Sequence, residues 1–325
     1  MVGFAQTTIL KLQQWYQYIA PKMPEQITVR NTLIFCVLAL LCIGSIMVAS
    51  ASMPYADRLH ENPFHYVIRH GISIAVAAVA ALVAYRVPIE MWFKNAFPIW
   101  IATILLLAAV LVVGTEVNGS TRWIRIAGFT LQATEVAKVA MAIFTADYVV
   151  RRSQEVRNKF SALFRLGVVM LLTVGLIIKE PDLGATVVIA LMMLCLFFLA
   201  GAPVIQFIIA FVAILLAFSA LIIFEPYRFE RLMSFTNPWD DQLGVGYQLS
   251  NALMAFGRGE FFGVGLGHSM QKMSYLPEAH TDFMLAIYAE EFGFFGFAIL
   301  MILSFLMLAC SIKIAHRALR NQYLR

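Results

Sequence analysis

Charged residues are scarce in this chain of 325 amino acids. Only 13% of its residues are Asp, Glu, Lys or Arg, whereas 61% are hydrophobic and 26 are phenylalanine. Soluble domains carry about 25% charged residues, and disordered chains are richer in charge and poorer in aromatic residues. The composition therefore excludes a disordered chain and a single soluble domain, and it indicates a polytopic membrane protein.

Cysteines are few, and the sequence has no clear sign of disulfides, nucleic-acid binding or a cleavable signal peptide. The four cysteines, Cys36, Cys42, Cys195 and Cys310, lie in apolar runs without a CxxC pair, which predicts packing residues rather than disulfides or metal ligands. The net charge of +5 does not indicate nucleic-acid binding, because basic residues in membrane proteins mainly set orientation. Residues 1–30 are polar and mixed, with no cleavable signal pattern, and are predicted to form a cytoplasmic tail.

Long apolar runs dominate the rest of the chain, without the alternation of a transmembrane β-barrel. They lie at approximately 31–51, 67–85, 96–113, 135–150, 166–178, 184–200, 203–224 and 283–314. Because backbone groups in lipid must be satisfied within the segment, each run predicts a helix. The expected fold is all-α, a membrane domain over 31–325 with about eight transmembrane helices.

Basic residues predict the orientation of these helices. The tails and the alternate connections on one side carry 14 Lys and Arg, and the short loops on the other side carry five. The positive-inside rule then places both termini in the cytoplasm. The segment 225–282, about 58 residues long, becomes a large extracytoplasmic loop, and its aromatic, glycine and charged residues predict that it folds against the membrane domain.

Ionisable residues near membrane depth are the candidates for function. Glu135 and Lys138 are three apart at the start of the fourth run, so they can form a structural ion pair or line a polar cavity. Arg122 and Arg125 flank Trp123 on the outer side, where arginine suits either lipid headgroups or a phosphate substrate. The stretch 179–184 either presents carboxylates in a turn or starts a helix.

The end of the long loop concentrates further candidates. Asp282 precedes the last run, where it can act as a general base or only cap a helix, with Thr281 a plausible cap just before it. Glu278 and His280 lie beside it, but their spacing is only a weak metal signal. Glu290 and Glu291 are predicted to deepen the acidic character of the following helix face.

Several stretches together resemble the SEDS family of shape, elongation, division and sporulation proteins, over about residues 31–325. They are Arg122-Trp123-Ile124, Gln132, Glu135, Lys138, Pro181-Asp182-Leu183-Gly184, Gly246-Tyr247-Gln248, Ala255-Phe256-Gly257-Arg258-Gly259, Gly263-Val264-Gly265-Leu266-Gly267 and Leu276-Pro277-Glu278-Ala279-His280-Thr281-Asp282-Phe283. The stretches around Asn237-Pro238-Trp239 and Tyr275–Asp282 resemble the division branch more than the elongation branch.

The resemblance implies a peptidoglycan glycosyltransferase that polymerises lipid II at the outer face of the bacterial cytoplasmic membrane, at the division septum. It implies Asp282 as the catalytic residue, and Arg122, Lys138, Glu135, Gln248 and Arg258 as substrate-binding residues. It also implies a divalent cation, Mg²⁺ or Mn²⁺, with no organic cofactor. The implied partners are a class B penicillin-binding protein, the septal transpeptidase FtsI, and other divisome proteins.

Two departures and two alternatives accompany this hypothesis. Family members usually carry Pro-Ser or Pro-Ala where this chain has Ala133-Thr134. The family pattern has ten spanning helices, so we expect a complete member to continue for two helices beyond Arg325.

A lipid II flippase would fit a cavity lined by intramembrane charges equally well, and a catalytically silent divisome scaffold is the other alternative.

Overall fold

The structure is a computed structural model that describes residues 25–117, 120–126, 129–273 and 276–322. Its elements are α1 (Glu25–His60), α2 (His65–Arg86), α3 (Ile89–Lys94), α4 (Ala96–Val113), β1 (Thr115–Val117), β2 (Ser120–Ile126), β3 (Phe129–Gln132), α5 (Ala133–Arg151), α6 (Ser153–Asn158), α7 (Phe160–Lys179), α8 (Leu183–Leu199), α9 (Val204–Ile223), α10 (Pro226–Thr236), α11 (Tyr247–Gly259) and α12 (Met284–Gln322). The predicted tail up to residue 24 lies outside the described residues.

Each of the eight apolar runs forms a helix, which confirms the polytopic helical fold. Six helices in the described parts of the chain are long and apolar enough to cross a membrane, namely α1, α2, α4, α7, α9 and α12. The apolar helix α8 is shorter, with 17 residues, and α5 carries several polar side chains. The count of eight spanning helices therefore stays a prediction.

The connection before α5 folds in a way that the sequence analysis did not anticipate. It forms a small antiparallel sheet in the order β1-β2-β3, in which Trp123 pairs with Gln132. Its alternating β-branched and aromatic residues favour strands. Because Gln132 both ends β3 and precedes the first residue of α5, the sheet is joined to this helix without a linker.

One compact unit comprises the described residues up to Ala78 and those from Glu230 onward. Within it, α12 packs against α1 and α11. Its apolar core contains Met47 and Ala51 from α1, Ala255 from α11 and Ile287 from α12. The predicted loop 225–282 thus contains α10 and α11, and α11 packs against the last helix as expected.

The second compact unit comprises Val79–Phe229. Within it, α5 packs against α4 and α8, and α8 also contacts α7 and α9. Its core is centred on large buried side chains such as Leu107, Met141, Ile189 and Phe197. The strand β2 lies against α4 and α5, so the sheet belongs to this unit.

The helix α12 is broken at Gly293, whose φ of 64° and ψ of −167° are not helical. The segment after α11 forms backbone hydrogen bonds with the residues on both sides of this break. Val264 and Gly265 donate backbone hydrogen bonds to the carbonyls of Glu290 and Glu291, and the amides of Phe294 and Phe295 donate to Glu260 and Phe261. The exchange satisfies backbone groups that an unbroken helix would pair internally.

Glycine is required where these backbones meet. A Cβ atom at Gly263 would collide with the backbone of Glu291, and one at Gly293 would collide with the backbone of Phe261. Both glycines also have positive φ values, 78° and 64°, which side chains other than glycine rarely adopt.

Candidate functional site

The turn between α7 and α8 holds a buried, hydrogen-bonded carboxylate. Asp182 is the N-cap of α8, and its Oδ1 accepts a hydrogen bond of 3.0 Å from the amide of Ala185. Its Oδ2 accepts bonds of 3.2 Å from Gln132 Nε2 and from Thr134 Oγ1. Asp182 therefore starts the helix, as one of the two interpretations predicted, and it also joins α8 to the beginning of α5.

Arg122 holds the same turn from β2. Its Nε donates a 2.9 Å hydrogen bond to the carbonyl of Glu180, and its Nη2 donates to the carbonyl of Pro181. Two parallel bonds of this kind fix both the guanidinium and the turn. The sequence analysis identified Arg122 as a substrate-binding candidate, and the structure adds its attachment to two backbone carbonyls.

Glu180 is fully buried in this turn, and within the described residues neither of its carboxylate oxygens has a hydrogen-bond partner. Burial and, to a smaller extent, the negative charge of Asp182 raise the pKa of the Glu180 carboxyl to about 7, although the positive charge of Arg122 opposes the rise. At neutral pH, Glu180 is therefore about half protonated.

The raised pKa of Glu180 predicts a dependence of stability on pH. The folded protein holds this proton up to about pH 7, whereas the unfolded chain releases it near the ordinary pKa of 4.5. The stabilisation is therefore complete below pH 4.5 and is lost as the pH rises to about 7. We expect Glu180→Gln to raise the unfolding temperature by at least about 2 °C at pH 8, with little change near pH 4.5.

Differential scanning fluorimetry of the detergent-solubilised protein across pH 4.5–8 measures this effect. Glu90→Gln, which changes an exposed carboxylate of the same unit, is the matched control and should leave the pH profile unchanged. A Glu180→Gln profile that runs parallel to the wild-type profile would contradict the assignment.

Glu135 and Lys138 form the ion pair that their spacing allowed. Lys138 Nζ lies 2.7 Å from Glu135 Oε1, the Glu135 side chain is exposed, and that of Lys138 is partly exposed. Both residues lie in the first two turns of α5, the helix that supplies Thr134 to Asp182. The pair thus stands near the Asp182 turn, within one compact unit.

Asp282 lies in the other compact unit, immediately before α12. It is exposed, and within the described residues its side chain makes no hydrogen bond or ion pair. The hydroxyl of Thr281 donates to Glu278 Oε2 at 2.8 Å, and α12 begins only at Met284. The predicted cap by Thr281 is therefore wrong, because its hydroxyl bonds to the preceding turn.

An aromatic group surrounds His280 next to Asp282. The imidazole stacks on Tyr55 at a centroid distance of 5.0 Å and lies 5.2 Å from the ring of Tyr66. Burial lowers the pKa of His280, although the negative charge of Glu278 opposes this shift. His280 is therefore neutral at physiological pH and fixes the Asp282 turn to α1 and α2 by ring packing.

The remaining candidates, Gln248 and Arg258, both lie on α11. Gln248 is partly exposed in the first turn and makes no side-chain hydrogen bond within the described residues. Arg258 Nη1 lies 3.7 Å from Glu290 Oε1. The structure therefore connects Arg258 to α12 through an ion pair with a buried carboxylate.

Glu290 and Glu291 do not form the acidic surface that the sequence suggested. Both are buried and compensated. Glu290 accepts hydrogen bonds from Ser269 Oγ and from the amide of Met270.

Glu291 is compensated by a lysine and a serine from distant parts of the chain. Lys272 Nζ lies 2.6 Å from Glu291 Oε1, and Ser50 Oγ lies 2.8 Å from the same oxygen. Lys272 Nζ also donates to Ser50 Oγ at 2.9 Å. We call these three residues the Lys272 network. It joins α1, the long connection and α12 within one unit.

The sequence analysis missed Lys272, Ser50 and Ser269, because no local pattern marks residues that meet across long sequence separations. In the part of the chain that the structure describes, no group of three or more His, Cys, Asp or Glu side chains is arranged to hold a metal ion. The implied divalent cation therefore stays a prediction, and no step is assigned to it.

Six helices that are long and apolar enough to cross a membrane, together with buried charged side chains, are typical of a polytopic membrane protein. Comparison with known proteins makes the class specific. Residues 30–325 match the FtsW/RodA/SpoVE family, described as cell cycle proteins. The chain belongs to this family, which confirms the SEDS resemblance.

Similar proteins carry one description. The probable peptidoglycan glycosyltransferase FtsW of Acinetobacter baylyi is 68% identical over 325 residues, which cover all of this chain and 82% of the relative. The protein of the same description from Aliivibrio salmonicida is 41% identical over 310 residues, covering 95% of this chain and 76% of the relative.

Two solved structures share the fold. One is described as a peptidoglycan synthase complex that coordinates polymerization and crosslinking. It has a TM-score of 0.67 and 25% identity, and the alignment covers 85% of this chain and 75% of that one. The other is the rod shape determining protein RodA of Thermus thermophilus, with a TM-score of 0.58 and 24% identity; the alignment covers 85% of this chain and 72% of that one. At this identity the likeness shows only that the two proteins share a fold.

Proposed function

We propose that this protein is a peptidoglycan glycosyltransferase that polymerises lipid II at the outer face of the cytoplasmic membrane during septal wall synthesis. The observation that carries the proposal is the 68% identity, across the whole chain, to a protein described as a probable peptidoglycan glycosyltransferase. The 41% identical relative bears the same description.

The proposed reaction needs a base and a means of stabilising a pyrophosphate leaving group. A hydroxyl of the acceptor sugar attacks the anomeric carbon of the donor, the bond to the pyrophosphate oxygen breaks, and the hydroxyl proton passes to a base. Asp282 suits the role of the base, because its side chain is exposed and uncommitted within the described residues. A single carboxylate is sufficient for one inverting displacement.

Positive charge stabilises the departing pyrophosphate. We assign Arg122 and Lys138 to this task, with Glu135 orienting Lys138 through the 2.7 Å ion pair. Arg122 uses Nε and Nη2 to hold the Asp182 turn, and its Nη1 makes no hydrogen bond within the described residues. Arg122 is therefore both a positioning residue and a phosphate-binding candidate.

Partners and location follow from the same proposal. A solved relative is described as coordinating polymerization with crosslinking in one complex, which supports a crosslinking partner. We infer a class B penicillin-binding protein, in the division branch the transpeptidase FtsI, together with other divisome proteins. We also infer that the chain resides in the inner membrane at the septum, with both termini cytoplasmic.

Reconstitution tests the proposed activity against its alternatives. The protein and its transpeptidase partner are placed in liposomes with fluorescent lipid II, and products are separated on a gel. We expect glycan strands that require this protein. Translocation of fluorescent lipid II to the other leaflet without any polymer would instead identify a flippase, and the absence of both products would identify a scaffold.

A further inference from the structure

An open cavity of about 560 Å³ lies in the second compact unit, beside the C-terminal end of α5. Three arginines contribute to its lining, Arg151, Arg152 and Arg165. None of the residues assigned to the proposed reaction takes part. From this cavity we infer a binding site for the phosphate of an anionic glycerophospholipid headgroup.

The arginines retain capacity to bind an anion. Arg152 Nη1 and Arg165 Nη1 both donate to Glu155, at 2.8 Å and 2.6 Å, and Arg151 Nη2 pairs with Asp147. Within the described residues, Arg151 and Arg152 each use one guanidinium nitrogen in these bonds, and Arg165 also hydrogen-bonds to the Tyr148 side chain. The side chains of all three arginines remain 46–65% exposed. Three cations face two carboxylates, so the site has a net positive charge and free donors in the fork geometry that matches phosphate.

Part of the cavity wall is aromatic. Phe97, Phe144 and Tyr148 line it, and the rings of Phe144 and Tyr148 stack at a centroid distance of 6.4 Å. A purely ionic ligand gains nothing from such a wall, whereas the glycerol and proximal acyl carbons of a lipid would cover it. The combination of arginine and aromatic surfaces favours an amphiphilic anion.

The position of the cavity favours a membrane lipid over a soluble phosphate. It lies where α5 ends and α7 begins, and α7 is long and apolar enough to span a membrane. Basic pockets between helices at the membrane boundary are typical sites for anionic headgroups. The site is also separate from the Asp182 turn, which lies at the other end of the 19-residue α5, a helix about 28 Å long at 1.5 Å per residue.

Native mass spectrometry of the purified protein in detergent tests the proposal. Dioctanoyl phosphatidylglycerol is titrated against dioctanoyl phosphatidylcholine, glycerol phosphate and inorganic phosphate. We expect phosphatidylglycerol to bind most tightly, and Arg165→Gln to weaken it about ten-fold, the loss of one charge-assisted hydrogen bond. Lys179→Gln, which removes an exposed cation at the far end of α7, should leave the affinity unchanged.

A second variant keeps the test decisive if Arg165→Gln folds poorly. Glu155→Gln removes the carboxylate that competes for two of the arginines, so phosphatidylglycerol should bind several-fold more tightly. A misfolded protein could not give this gain. Equal affinity for the two lipids, equal affinity for inorganic phosphate, or a loss of binding in Glu155→Gln would each overturn the proposal.

Discussion

Replacing Asp282 with asparagine is expected to abolish glycan polymerisation while leaving the protein folded. Asparagine has nearly the same shape but does not accept a proton, so the reaction loses its base. Removing a general base typically lowers a rate by about 10²–10⁴-fold. Because Asp282 is exposed and makes no side-chain bond within the described residues, the substitution should shift the unfolding temperature by less than about 2 °C.

The gel assay with fluorescent lipid II measures this loss, and fluorimetry checks the fold. Asp240→Asn is the matched control, because Asp240 is another exposed aspartate of the long connection, and it should polymerise at the wild-type rate. Polymer yield from Asp282→Asn within a factor of two of wild type would remove Asp282 as the base and would leave the family assignment intact.

Among the single substitutions proposed for this protein, Lys272→Met is expected to cause the largest loss of stability. It removes the positive charge from a pair in which Lys272 is 3% exposed and Glu291 is fully buried. Breaking a buried ion pair from one side typically costs about 3–5 kcal/mol, because the remaining charge has lost its water and its partner. At about 2–4 °C per kcal/mol, the unfolding midpoint should fall by roughly 10 °C.

A double variant separates the lost charge from lost packing. In Lys272→Met combined with Glu291→Gln neither member of this pair carries a charge, and the amide can still bond to Ser50, so most of the stability should return. Lys313→Met makes the same change at an exposed position of α12 and should shift the free energy of unfolding by about 0.5 kcal/mol or less. Equal destabilisation of the single and double variants would show that packing, not charge, dominates.

Most of the helical architecture could be predicted because it depends on local sequence. A run of apolar residues specifies a helix in lipid wherever it occurs, so the helices α1, α4 and α9 follow directly. The sheet β1-β2-β3 was missed because its strands are only three to seven residues long, which leaves little periodicity to detect. The break in α12 was missed because Gly293 lies in a continuous apolar run, and the groups that satisfy the break are elsewhere.

The candidate site also has a part that local sequence predicts and a part that it does not. The N-cap role of Asp182 follows from a Pro-Asp pair before an apolar run, and the pair of Glu135 and Lys138 follows from helical spacing. Compensation of Glu291 by Lys272 and Ser50 joins residues 19 and 241 positions away. No single-sequence pattern indicates such a pairing, so two carboxylates that the sequence placed on an acidic face are instead buried and compensated.

The backbone exchange at Gly293 sets an order of assembly. The carbonyls of Glu290 and Glu291 and the amides of Phe294 and Phe295 find their partners in residues 260–265, which leave the ribosome earlier. Unpaired, these four groups would each cost several kcal/mol in lipid. We therefore expect the segment after α11 to fold back before or while the last helix settles in the bilayer, so that α12 does not insert as an autonomous unit.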